Sequence, residues 1–163
     1  MSSPRIPEKF EILLIEDSSD DRFVFERGVI TSGIPAFVSF AATAAEAINR
    51  LNRLGIHHDT PLPRLIVMDL GLPGINGKAL LQAIRMAYGP QLVPVVILTG
   101  SQAPADRDAC EGWLINGFFV KPTTMEGMAE LVARLPKLLD RPSTDRISRL
   151  GAMPMDAPNP LTR

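Results

Sequence analysis

Five short apolar runs set the limits on what this chain can fold into, because each is the length of a strand, is bounded by turn formers and is followed by helical patterning. They are Phe10–Ile15, Ala36–Phe40, Leu65–Met68, Val93–Leu98 and Phe118–Val120. Behind the first, Ser18 or Ser19 can cap a helix over Asp20 to Thr31, with Phe23, Val24, Arg27 and Ile30 at helical spacings and Gly33 to end it. Thr43 and Glu46 make a capping box that opens a second helix to about Leu54, with Ala47, Leu51 and Leu54 toward the core. A third helix is predicted over Lys78 to Tyr88, a weaker fourth around Ala105 to Leu114, and a fifth from Thr123 or Thr124 to about Leu139.

Strands that alternate with helices imply a parallel sheet covered on both faces and joined by right-handed crossovers. A barrel of eight such units would need roughly 250 residues, and this chain has 163. The expected fold class is therefore α/β, an open doubly wound five-stranded parallel sheet of flavodoxin-like order 2-1-3-4-5. A domain over residues 8–140 is predicted. Residues 141–163, punctuated by Pro142, Pro154, Pro158 and Pro160, read as a tail that is disordered or used as a dimer arm.

The polar residues fall where such a sheet binds ligands, outside the carboxyl ends of its strands. Glu16 and Asp17 follow the first run, Asp69 the third, Thr99 the fourth and Lys121 the fifth. In the expected strand order these ends are neighbours. Clustered carboxylates repel unless a cation joins them, and hard oxygen donors suit Mg²⁺. A carboxylate is also a known nucleophile for phosphoryl transfer. Asp69 is the best candidate because Gly71, Pro73, Gly74 and Gly77 behind it free the backbone to approach a ligand.

Together, Leu-Leu-Ile-Glu16-Asp17, Ile-Val-Met-Asp69-Leu-Gly71-Leu-Pro73-Gly-Ile-Asn-Gly77, Val-Val-Ile-Leu-Thr99-Gly and Gly-Phe118-Phe-Val-Lys121-Pro122 resemble the receiver domain of two-component response regulators over roughly residues 10–139. The resemblance implies a phosphoacceptor switch and not a metabolic enzyme, catalysing at most its own phosphorylation and dephosphorylation. It implies that Asp69 accepts the phosphoryl group, and that Glu16, Asp17, Asp69 and the Gly71 carbonyl hold Mg²⁺. Thr99 and Phe118 become switch residues, and Lys121 the lysine before a proline, a bond often cis in the family. The implied donor is a histidine kinase, and the likeness to single-domain regulators of the phytochrome-associated type implies one of phytochrome type. The implied output is another protein, with a homodimer possible. Two positions depart from the usual pattern: Gly71 stands where the family has a larger side chain that influences phosphoryl lifetime, and Phe118 lacks a phenol hydroxyl.

Competing readings are constrained by the same residues. A Mg²⁺-dependent aspartyl phosphatase would want a general acid two residues after its nucleophile, where Gly71 stands. A nucleotide binder would want a phosphate-cradling loop after the first strand, where Asp17-Ser-Ser-Asp-Asp21 is acidic. A net charge of −1 offers no basic surplus for nucleic acid. The single cysteine and the absence of any run long enough to span a bilayer predict a cytoplasmic protein without a membrane anchor. Asp20 and Asp21 read as a solvated helix start, His57 and His58 as exposed loop residues, and Cys110 and Trp113 as packing.

Overall fold

The computed structural model describes residues 8–139; residues 141–163, the predicted tail, lie outside them. Five parallel strands, β1 (Phe10–Ile15), β2 (Ala36–Ala41), β3 (Leu65–Met68), β4 (Val95–Thr99) and β5 (Gly117–Val120), form one sheet in the order 2-1-3-4-5. Helices α1 (Ser19–Ser32) and α5 (Met125–Leu139) cover one face. Helices α2 (Ala44–Leu51), α3 (Gly77–Ala87) and α4 (Pro104–Glu111) belong to the other. The central strands are apolar throughout because both faces are covered: β3 and β4 are buried at every residue. The side-chain period of two sends Leu13, Ile15, Ile66, Met68, Val95 and Ile97 to one core, and Ile12, Leu14, Leu65, Val67, Val96 and Leu98 to the other.

The helix starts follow their capping signals. Ser18 Oγ accepts from the Asp21 N–H, Thr43 Oγ1 accepts from the Glu46 N–H, and Glu46 reaches back to the Ala42 N–H. The buried stripe of α1 differs from the expected one. Phe25, Gly28 and Val29 face inward, whereas Phe23 and Ile30 are 60% and 61% exposed and Arg27 is exposed. The stripe runs through a glycine, which carries no hydrophobic signal, and that glycine is there because α5 lies against it. A Cβ on Gly28 would stand 2.7 Å from Met128 Cγ.

Helix α2 also stops earlier than expected. Arg53 takes a left-handed φ of 58°, its N–H donates to the Arg50 carbonyl, and the Leu54 N–H donates to the Asn49 carbonyl. That is a Schellman closure with arginine where glycine is usual, and it leaves Leu54 exposed before a 3₁₀ turn at Gly55–His57. Strand β4 begins after Pro94, which has no N–H to give to a ladder. Val93 stays fully buried outside it.

Two buried arginines tie elements together. Arg50 of α2 meets the Glu11 carboxylate at 2.6 and 2.8 Å, and the Ser39 hydroxyl donates to the same carboxylate. Arg85 of α3 donates to the backbone carbonyls of Trp113, Val93 and Leu114. Among the described residues no helix is long and apolar enough to cross a membrane.

Candidate functional site

The strand ends converge as expected, and hydrogen bonds of the sheet hold them in place. The Glu16 N–H donates to the Ala41 carbonyl, the Asp69 N–H to Ile15 and the Lys121 N–H to Thr99. Each of these residues lies one position past its strand, yet its backbone still belongs to the ladder. Such backbone has little freedom, so the side chains it carries are pre-positioned. Gly77 fixes the loop after Asp69 from behind. It starts α3 with its Cα against the backbone of Leu70, where a Cβ would lie 2.5 Å from Leu70 Cα.

Lys121 lies at the centre of the charges. Its ammonium is 2.7 Å from Glu16, 2.7 Å from Asp21 and 2.8 Å from Asp69. Three donors thus meet three carboxylates. Burial would pull this lysine's pKa down, but the bonds to Asp21, Asp69 and Glu16 overcome that and raise it above the ordinary lysine value. Burial likewise pushes Asp69 upward, and the Lys121 ammonium with the Gly71 N–H outweighs it, leaving the Asp69 carboxyl below its usual range. For Glu16 burial wins over Lys121 and the Ser18 N–H, and its pKa is raised.

Glu16, Asp17 and Asp69 each offer a carboxylate oxygen, all within 4.8 Å of one another, with Asp17 exposed and the other two buried. Three hard oxygen donors, one of them kept reluctant to ionise by burial, form a set suited to a divalent cation. Gly71 is beside them, its N–H donating to Asp69 Oδ1 at 3.1 Å. A Cβ at Gly71 would make ordinary contact with Asp69 Oδ2 at 3.6 Å, so neither a close approach nor backbone conformation requires glycine at this position. Thr99 is buried, with its hydroxyl oxygen accepting from the Ser101 N–H. Phe118 is buried under the Arg107 guanidinium, 5.0 Å from its ring centroid. The peptide between Lys121 and Pro122 is trans, the form that X–Pro bonds intrinsically favour.

The family model for the response regulator receiver domain matches residues 12–133. The chain belongs to that family. Response regulator Rcp1 of Synechocystis sp. is 30% identical over 132 residues, covering 81% of this chain and 89% of Rcp1. The crystal structure of phosphorylated RcpA, a cyanobacterial phytochrome response regulator, superposes with a TM-score of 0.71 at 25% identity, over 80% of this chain and 94% of RcpA. The Mn²⁺-bound form of Rcp1 gives a TM-score of 0.68 at 27% identity, over 78% of this chain and 92% of that one. This receiver-domain chain is thus a response regulator, and no acid stands at Gly71 to favour a phosphatase.

Of the residues outside the sequence expectation, Asp21 is the chief addition: it reads as a helix-start acid, yet it shares Lys121 with the cluster. Its only signal is its place in the first turn of a helix that begins beside the site. Asp20 stays exposed, His58 is exposed and pairs with Asp59, and His57 is half-buried in the 3₁₀ turn. Cys110 is buried, and Trp113 packs on the same core.

Replacing Lys121 tests the charge assignment. Lys121→Met is expected to lose about 2 kcal/mol of stability at pH 7 without divalent cations, the worth of charge-assisted bonds to half-buried groups. Without the ammonium, both Glu16 and Asp69 take up protons more readily in the folded state. The deficit should therefore shrink as pH falls toward 4, where protonation relieves the repulsion. Mg²⁺ should stabilise this variant more than the parent. Urea unfolding at both pH values, with and without Mg²⁺, decides; an equal deficit at both would remove the ion-pair account.

Proposed function

We propose that Asp69 is the phosphoacceptor of this regulator, receiving a phosphoryl group from a histidine kinase and thereby changing the affinity of the domain for a downstream protein. The supporting observation is the Asp69 carboxylate itself. It is held ionised at the end of β3, 2.8 Å from Lys121 and grouped with Glu16 and Asp17. In the transfer a carboxylate oxygen of Asp69 attacks phosphorus, the bond from phosphorus to the kinase's imidazole nitrogen breaks, and its electron pair returns to the ring.

Catalysis of this kind is mostly positioning and charge stabilisation. Lys121 orients Asp69 and supplies positive charge next to the transferred oxygens. Glu16, Asp17, Asp69 and the Gly71 carbonyl would hold Mg²⁺, which supplies charge neutralisation when bound. Thr99 is read as the hydroxyl that turns onto the phosphoryl group and releases the Ser101 N–H, and Phe118 as the aromatic that follows it. A switch needs contacts peculiar to one state, and the Thr99 bond is one.

The phytochrome association of RcpA supports a phytochrome-type kinase as the donor. In this reading the protein acts in the cytoplasm on a protein and not on nucleic acid, and serves as a switch and not as a metabolic enzyme. Residues 8–140 form its receiver domain.

The test is intact-mass measurement after incubation with Mg²⁺ and a small phosphodonor, followed by peptide mapping. The expected result is one labile phosphoryl increment on the peptide that contains Asp69. An unmodified chain, or an increment elsewhere, would overturn the reading.

A further inference from the structure

Every proton of the Lys121 ammonium already faces a carboxylate, so a phosphoryl group on Asp69 would add charge to a site whose central cation is fully engaged. Such a group carries about −1.5 to −2 charge at neutral pH. A second cation lines the same crevice. This space of about 540 Å³ is bounded by Asp69, Thr99 and Lys121, and also by Lys78, Ser101 and Asp106.

Lys78 lies in the first turn of α3, where the helix dipole disfavours a positive charge. Its ammonium pairs with Asp106 in the first turn of α4 at 2.5 Å. Both side chains keep contact with solvent, at 39% and 23% exposure, so the pair is weak enough to exchange. Asp106 also accepts from the Ser101 hydroxyl, and the Ser101 N–H donates to Thr99 Oγ1. A single chain of bonds thus runs from Thr99 through Ser101 and Asp106 to Lys78, and both of its ends line the crevice that holds Asp69.

We propose that Lys78 is a phosphoryl-binding residue held in reserve by Asp106. When Asp69 carries a phosphoryl group, Lys78 leaves Asp106 for the phosphoryl oxygens, and the first turn of α4 loses its tie to α3. A dianion outcompetes a single carboxylate for the ammonium, and no covalent step is needed. The inference rests on Asp69 as phosphoacceptor and adds a ligand of the phosphoryl group and the counter-ion that withholds it.

The test uses beryllium trifluoride with Mg²⁺ as a phosphoryl mimic on the full chain, with affinity read by titration calorimetry. Lys78→Met should weaken binding roughly tenfold, the value of one charge-assisted bond. Lys78→Arg should remain near the parent, which separates lost charge from lost folding. Asp106→Asn should tighten binding about two- to fivefold, the worth of one partly exposed ion pair.

The double variant decides. If Asp106 acts by withholding Lys78, the double variant matches Lys78→Met. If Asp106→Asn tightens binding equally without Lys78, Asp106 acts only as a nearby negative charge and the proposal is overturned. Unchanged affinity in Lys78→Met overturns it as well. If the parent does not bind the mimic at all, the phosphoacceptor reading of Asp69 fails, and this inference with it.

Discussion

Asp69→Asn is expected to lose all phosphoryl incorporation, with no measurable increment where the parent reaches a substantial fraction. The substitution is nearly isosteric, and an amide oxygen can still accept from the Gly71 N–H, which in the parent donates to Asp69 Oδ1. What disappears is the negative charge that makes the oxygen a nucleophile and the strong bond to Lys121. Stability should fall modestly at pH 7, because a carboxyl held below its usual range favours the folded state when ionised, and relief of its repulsion with neighbouring Glu16 offsets only part of that loss. Intact mass and urea unfolding on the same sample separate the two effects. Labelling retained by a folded variant would move the acceptor to another acid.

The largest loss of stability is expected from Arg85→Ala, about 3–5 kcal/mol. That is a large part of the 5–15 kcal/mol typical of a domain. Arg85 is 6% exposed, and the described partners of its guanidinium are three backbone carbonyls: Trp113 at 2.9 Å, Val93 at 2.8 Å and Leu114 at 3.1 Å. Burial pushes its pKa down to about 10, still well above neutrality, so it remains charged at pH 7. Truncation leaves those carbonyls without their donor and opens a void between α3 and the α4–β5 connection. Leu114 sits there at a left-handed φ of 58°, a conformation that needs outside support. A loss below about 1 kcal/mol in urea unfolding would show that water replaces the guanidinium.

Strand positions were legible because burial on both faces leaves apolar runs with abrupt polar ends. Phe10–Ile15 and Leu65–Met68 coincide with β1 and β3, and the other three strands differ by a residue or two at their ends. Helix starts were legible at Ser18 and Thr43, whose side chains bond to backbone three residues on. Failures arose where a partner from far along the chain decides the outcome, or where a residue takes a backbone conformation its type disfavours. Gly28 lies in the buried stripe of α1 only because Met128 packs on it, and Arg53 ends α2 against its own preference.

The sequence alone determined the class of the fold and the placing of Glu16, Asp17, Asp69, Thr99 and Lys121 at strand ends. Period and punctuation are local properties, and a parallel sheet has few ways to order five strands. Only the tertiary structure decided which charges meet: that Lys121 is shared by Glu16, Asp69 and Asp21, and that Lys78 faces Asp106 across the crevice. Side-chain pairing over distances of a few ångströms depends on where separate loops come to rest. In water an isolated acid or lysine carries no mark of its future partner.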